Sequence, residues 1–380
     1  MIRFISNASG VAYRNVAKPI LFRFSPDSVH DFMVRSVGIA QKCRVLRWFV
    51  RKAWAYENRA VLGQTLGGIH YANPVGLSAG FDKNSELLPI LYALGFGQTE
   101  VGSITSLPCS GNPRPWFYRL PKTKSLVVHA GLANNGAEEI CTRLARRVPA
   151  MKRRSVLNIS IAKTNCSATA TEASGIQDYV DGLQSVLQAS IADTVTLNIS
   201  CPNAYGGEPF TKPDSLEKLL AAVDALRADL PIYLKMPIDL PWESFSELLA
   251  VADKHNVNGL TIGNLTKDRS NIDLKDELPE DVPGGISGKT NVQRSNELIR
   301  RTRQAYPDRF IIVGVGGVSS GQDAYQKIRL GADMVELVTG MIFEGPQVIG
   351  QINQDLARLL QRDGYTNIGQ AVGADCQRLS

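Results

Sequence analysis

Asn198, Ser200, Cys201 and Asn203 fall within six positions of one another in TLNISCPNAYGG, residues 196–207. The stretch begins as an apolar run and stops at a polar cluster closed by Pro202, Gly206 and Gly207. Side-chain amides at such a place can grip a polar ligand from both sides, since each carries a donor and an acceptor. A thiol among them is reactive when ionised and is otherwise a small, buried, apolar filler. Two lysines stand near the ends of other apolar runs, Lys83 after PVGLSAGF and Lys235 inside PIYLKMPI. A lysine there either snorkels, pairs with a carboxylate, or meets a negative charge or an electron-rich ligand. The glycines of GVGG (Gly316, Gly317) and of TG (Thr339, Gly340) either end strands for steric reasons or let backbone N–H groups approach a phosphate.

These residues need elements to position them. From about residue 60 the chain repeats a short apolar run followed by a longer amphipathic stretch. Eight runs occur, at 74–81, 95–104, 155–162, 193–200, 231–238, 258–264, 309–317 and 333–340. Helical spacing marks 214–229, 243–255, 292–305 and 321–330. Eight strand-helix units predict an α/β chain folded as a parallel (β/α)8 TIM barrel, with a doubly wound sheet as the alternative. The longest loop-like insertions are 204–213 and 265–291. Chemistry in such a barrel gathers at the C-terminal strand ends. Taken in order these carry Ala79, Gly80 and Lys83; Ser103; Ser160 and Lys163; Asn198, Cys201 and Asn203; Lys235; Asn264; Gly316 and Gly317; Thr339 and Gly340. Glycines on the last two strands lie where barrels often hold a phosphate, which implies a phosphorylated cofactor or substrate.

The 380 residues are long enough for one large barrel, and the formal charge of +6 is mildly basic. Six cysteines without a C-x-x-C pair and four scattered histidines suggest neither a zinc site nor a disulfide framework, and no metal is expected. The first 24 residues break their apolar positions with Arg, Asn and Lys, unlike a secretory signal, and no stretch is long and apolar enough to span a bilayer. Ser25 and Pro26 read as an N-cap and first helical residue. From Phe32 to Tyr56 the charges are Arg35, Lys42, Arg44, Arg47, Arg51 and Lys52, with no acid, interleaved with Phe32, Met33, Trp48, Phe49 and Trp54. One or two amphipathic helices resting on an anionic membrane suit this pattern, the alternative being a helical pair packed on the protein with a basic solvated face. No nucleic-acid partner is expected.

The motifs NPVGLSAGFDKN, FGQTEVGSITSLPCSGNPRPWFYRL, LNISCPN, YLKMPID, GLTIGNLTKDRS, GGISGK and IIVGVGGVSSGQDAYQKIRLGADMVELVTGMIFEGP resemble, in order, those of the dihydroorotate dehydrogenase family. The resemblance runs from about residue 20 to 360. It implies an FMN-containing barrel that oxidises dihydroorotate to orotate in pyrimidine biosynthesis. The segment around 25–56 is similar to the helical extension of the membrane-associated, quinone-reducing class. The implied layout is a helical extension over 1–60, an FMN-binding barrel over 61–365 and a C-terminal tail over 366–380 without strong pattern and partly mobile. The implied location is peripheral, on the cytoplasmic face of the inner membrane, with a quinone as acceptor.

Carried over residue by residue, the resemblance implies that Lys83 touches flavin and substrate. Asn198, Asn203 and Asn264 hold the substrate ring, with Asn198 also toward the cofactor. Lys235 meets the flavin's electron-rich edge. Ala79, Gly80, Ser103, Ser160 and Gly288 border the cofactor, and Gly316, Gly317, Thr339 and Gly340 cradle its phosphate. Cys201 occupies the catalytic-base position, which requires its pKa to fall from about 8.5 toward working pH, with Lys83 supplying the positive field. The membrane class usually has serine there, and cysteine marks the soluble classes. The chain reads Val128-His129-Ala130-Gly131-Leu132-Ala133-Asn134 where that class has N-R-M-G-F-N-N, so one clamp asparagine is replaced by Val128. An orotate-shaped ligand then loses about 1–3 kcal/mol for that contact unless water or Asn134 replaces it. The alternatives are an FMN oxidoreductase acting on another cyclic amide or unsaturated metabolite, and a barrel without redox chemistry, either with Lys235 as a Schiff-base lysine or as a phosphate-binding structural protein.

Overall fold

The computed structural model describes residues 2–148, 155–201, 203, 205, 207–270 and 272–376, with no side-chain description before Ile5. Pro202, Ala204 and Gly206 of the opening stretch, and residues 377–380 of the tail, lie outside the described residues.

Each of the eight apolar runs contains a strand, and the strands close into a parallel barrel. They are β1 (Val75–Leu77), β2 (Gln98–Ile104), β3 (Val156–Ala162), β4 (Thr194–Asn198), β5 (Ile232–Met236), β6 (Gly259–Ile262), β7 (Ile311–Val315) and β8 (Met334–Leu337). β8 pairs with β1 to close the ring. The strands are buried on both faces, as expected where helices cover the outside and side chains fill the inside. The predicted helices appear as Pro213–Asp224, Trp242–Asp253, Val292–Ala305 and Gly321–Arg329. The first three pack their apolar sides into one core with the strands, around residues such as Leu219, Phe245 and Leu260, and Gly321–Arg329 packs through Ala324, Tyr325 and Ile328 into a second core with Val75, Leu77 and Val335.

Two covers were not expected. A short hairpin, Gln64–Leu66 with Ile69–Tyr71, closes the N-terminal end of the barrel. Tyr71 packs there with Tyr233, Val313 and Met334, and the two tyrosine hydroxyls share a hydrogen bond of 3.1 Å. At the C-terminal end, Phe117–Leu120, Ser125–Val128 and Gly285–Gly288 form a three-stranded antiparallel sheet. The last strand lies inside the 265–291 insertion, so that loop carries structure of its own.

The N-terminal extension is helical from Ile2 to Leu21, widened over Tyr13–Ala17, and continues as Pro26–Ala40 and Arg44–Trp54. Ser25 caps the second helix as expected, its hydroxyl accepting from the Ser28 N–H. Asp27 in the first turn is buried and accepts from the backbone N–H groups of Trp116 and Phe117, which pins the helix start to the cover sheet. Among the described residues, no helix is long and apolar enough to cross a membrane. The described part of the tail, through Cys376, packs on the barrel. Ile368 and Ala371 are buried, Asn367 donates to the Ala60 and Gly63 carbonyls, and Asp375 pairs with Arg329.

Candidate active site

One cavity of about 570 Å³ opens at the C-terminal end of the barrel, within the range of small-molecule sites. Fourteen of the fifteen predicted site residues line it: Ala79, Gly80, Lys83, Ser103, Asn198, Cys201, Asn203, Lys235, Asn264, Gly288, Gly316, Gly317, Thr339 and Gly340. The exception is Ser160, which does not reach the cavity. It is fully buried behind Ser103 and shares a 2.7 Å hydrogen bond with that hydroxyl, so it supports the wall instead of forming it.

The amides are held in place by their neighbours. Asn198 donates to Ser103 Oγ at 2.9 Å, and its own carbonyl accepts from the buried Tyr179 hydroxyl at 2.7 Å. Asn264 donates to the Ser200 carbonyl and hydroxyl at 2.6 and 2.8 Å, while Asn291 donates to the Asn264 carbonyl at 2.8 Å. Asn203 donates to the Val128 carbonyl at 2.9 Å, joining the Cys201 loop to the cover sheet. Val128 and Leu132 line the cavity. Asn134 does not take over the missing contact. Its amide is buried and committed to Thr105 Oγ1 and the Leu132 carbonyl, and its oxygen accepts from the Thr105 and Gly136 N–H groups.

The charges are unevenly satisfied. Lys83 Nζ is buried with no hydrogen-bond partner, facing the rings of Phe117 and Trp116 at 5.3 and 5.8 Å, and burial lowers its pKa to about 8. Lys235 Nζ donates to Ser78 Oγ at 3.1 Å and lies 3.9 Å from Glu100. For Cys201 the expectation is reversed. Burial pushes its thiol up to about 11, Glu208 adds to the rise, and the opposing basic groups are Lys235 and Lys267, not Lys83.

A flavin mononucleotide fits these residues. A cation buried without a partner needs an electron-rich ligand. Gly80 has φ +103° and open space where a side chain would stand. Gly316 and Gly317 have φ +112° and +73°, and a Cβ on Gly317 would run into Val292. Thr339 Oγ1 shares a 2.9 Å hydrogen bond with Ser287 at the same end.

The cavity also runs outward between the Pro26–Ala40 and Arg44–Trp54 helices, past Val29, Met33, Val37 and Val50. Its polar marks are His30, Gln41, Tyr13 and Arg119. Arg119 stacks on the Phe22 ring at 4.4 Å and donates to the Phe24 carbonyl at 2.8 Å, so it braces the passage wall. These residues were not singled out beforehand, nor were Glu100 and Glu336 on the barrel floor. The acids had a visible signal, a carboxylate inside an otherwise apolar strand run; the passage residues had none, because only the docking of separate elements brings them together.

A family model described as dihydroorotate dehydrogenase matches residues 61–360. A curated protein named dihydroorotate dehydrogenase (quinone) from Rhizobium rhizogenes is 34% identical over 367 residues, covering 94% of this chain and 95% of that protein. One of the same name from Deinococcus deserti is 36% identical over 378 residues, covering 96% and 99%. Among solved structures, the Eimeria tenella enzyme in complex with ferulenol superposes with a TM-score of 0.77 at 27% identity, covering 89% of this chain and 95% of that one. With its closed barrel, amide cluster and paired lysines, the chain belongs to the dihydroorotate dehydrogenase family.

Proposed function

We propose that the chain oxidises dihydroorotate to orotate with FMN as cofactor and passes the electrons to a quinone that enters between the N-terminal helices. The observation that carries this is one cavity joining three features: the unpartnered Lys83 ammonium, the Asn198–Asn203–Asn264 cluster, and an apolar passage open toward the basic helices. Bound FMN supplies a two-electron acceptor for the hydride that leaves C6. Gly316, Gly317, Thr339 and Gly340 hold its phosphate, with Ala79, Gly80, Ser103 and Gly288 along its length. Lys235 would offer positive charge to the bound flavin, favouring its reduced, more negative form. Asn198, Asn203 and Asn264 orient the substrate ring, and Lys83 balances its carboxylate. Cys201 takes the C5 proton. The surrounding side chains exclude water while the base works.

The helical extension over 1–60 is the membrane-facing part, 61–365 the FMN-binding barrel, and 366–380 a C-terminal tail. Among the described residues, twelve of the fifteen exposed large apolar side chains precede residue 50. With the six basic residues between Phe32 and Tyr56 they form a surface suited to anionic lipid at the cytoplasmic face of the inner membrane.

A second reading has its own support: Val128 and Leu132 line the cavity and Asn134 is committed elsewhere, which favours a less polar cyclic amide as the reduced substrate. One experiment separates the readings. Dihydroorotate is added anaerobically to the purified protein while the flavin absorbance is followed. Rapid bleaching supports the first. A flavin band that persists supports the second, and a colourless protein supports a phosphate-binding barrel without redox chemistry.

A further inference from the structure

The barrel floor holds two acids for one lysine. Glu336 on β8 and Gln98 on β2 flank β1 and are brought together by Gly76, which is in register with both. A Cβ on Gly76 would stand 2.9 Å from Glu336 Cγ, so only glycine leaves the gap through which Gln98 Nε2 donates to Glu336 Oε1 at 2.8 Å. Two positions along β2, Glu100 points to the same interior. Its Oε2 accepts from the Ala79 N–H at 2.6 Å and lies 3.9 Å from Lys235 Nζ. Glu100, Glu336 and Lys235 are 0, 1 and 4% exposed, and Ser78, Lys235 and Glu336 line the cavity. Each acid leaves one buried oxygen without a hydrogen-bond partner, Glu100 Oε1 and Glu336 Oε2.

Two ionised acids against one ammonium would put a net negative charge among side chains almost without solvent exposure, where an uncompensated charge is among the costliest things to bury. Glu100 has the partners of a carboxylate, a backbone donor and a nearby lysine. Glu336 has a neutral amide. We propose that Glu336 is held as the neutral acid, so that the floor beneath the cofactor carries one carboxylate against Lys235 and no net negative charge. One acid O–H also supplies the donor that this cluster of acceptors lacks. The groups facing Glu336 act in both directions. Burial and the Glu100 carboxylate raise its pKa well above the ordinary value, against Lys235, Gln98 and Ser78, with the hydroxyls of Tyr71 and Tyr233 on the barrel's closed side.

Glu336 is thus a positioning residue that acts through Lys235. Its proton keeps the lysine's charge from being cancelled, so the lysine remains available to the edge of the flavin where negative charge develops. This consequence rests on the FMN reading; the protonation itself does not.

The test is the infrared difference between the purified wild type and Glu336→Gln at neutral pH. The expected loss is a carboxylic-acid C=O band that shifts in heavy water; loss of carboxylate bands instead overturns the proposal. In the FMN-loaded proteins the flavin midpoint potential is expected to be unchanged by Glu336→Gln, since a neutral group replaces a neutral one. A rise in potential overturns the proposal, because it means that a negative charge was removed. Should the variant not fold, isotope-labelled glutamate in the wild type gives the same answer through a carboxyl resonance that stays in its acid position at neutral pH, or does not. Because the infrared measurement needs no cofactor, a colourless protein would sink the FMN reading and leave this one open to test.

Discussion

Lys163, just beyond β3, donates from Nζ to the Tyr205 carbonyl at 3.0 Å and so ties down the loop that carries Cys201. That closure bears directly on the proposed base. Desolvation is the main cause of the thiol's rise to about 11. A base works in its deprotonated form, so at pH 7 about one thiol in 10,000 is ready. The rate of flavin reduction by dihydroorotate should therefore climb about tenfold per pH unit from neutrality toward the thiol's pKa. A rate that stays level with pH in stopped-flow reduction would remove Cys201 from the role.

Lys83 should be a liability without its ligand. Its ammonium is buried and unpartnered, and burial already lowers its pKa to about 8. Lys83→Met keeps the stem and removes the charge. The flavin-free protein should gain on the order of 1–3 kcal/mol of stability and lose affinity for both FMN and orotate. Thermal melting with and without FMN checks this. A variant that melts lower than wild type in the absence of cofactor would show that the lysine is satisfied in a way the cavity does not reveal.

His30 gives the passage a pH limit. Burial, with Lys83 nearby, depresses its pKa to about 4, against the nearby carboxylates of Asp31 and Asp27. The unfolded chain binds a proton near pH 6.5 and the folded one only near 4, so stability is full above the first value and declines as pH falls through the window between them. The loss is at most about 3 kcal/mol. Urea midpoints measured between pH 7 and 4 should fall in the wild type and fall less in His30→Phe; parallel curves would count against this account.

The barrel was legible because eight largely apolar runs alternate with amphipathic stretches, and a buried parallel strand has little freedom to look otherwise. The grouping of Asn198, Cys201 and Asn203 on one cavity was legible because they share one strand end. Ser160 was misplaced by the same logic. It belongs to a strand end, but a side chain one layer deeper in the barrel meets Ser103 before it meets the cavity. The passage could not be read at all. His30, Arg119 and Tyr13 come from three separate segments, and no local pattern encodes that they meet. Cys201's thiol was misjudged for a related reason, since desolvation in the folded chain, which no local pattern encodes, outweighs the lysines near it.

The exposed apolar residues of the extension should bind lipid. Trp48 and Phe49 are 54 and 59% exposed on a helix that also carries Arg44, Arg47, Arg51 and Lys52. Replacing both aromatics by serine should weaken binding to partly anionic vesicles at least tenfold, about 1.4 kcal/mol, without changing orotate affinity. Co-sedimentation with vesicles of graded anionic content reads both the apolar and the electrostatic parts. Unchanged binding would favour the reading of these helices as a solvated cover for the barrel.

Val128 is the sharpest test of substrate. Its side chain lines the cavity at the end of the Ser125–Val128 strand, and its carbonyl already anchors Asn203. Val128→Asn leaves that backbone contact in place and adds an amide of similar size to the cavity wall. If orotate sits among Asn198, Asn203 and Asn264, the added amide should tighten its binding by about 1–3 kcal/mol, roughly five- to 150-fold. Titration of orotate against the flavin spectrum measures it. Weaker binding in the variant would mean that the apolar wall is itself the complement of the natural ligand, because a site shaped for a less polar ring loses affinity when an unpaired amide is placed against it.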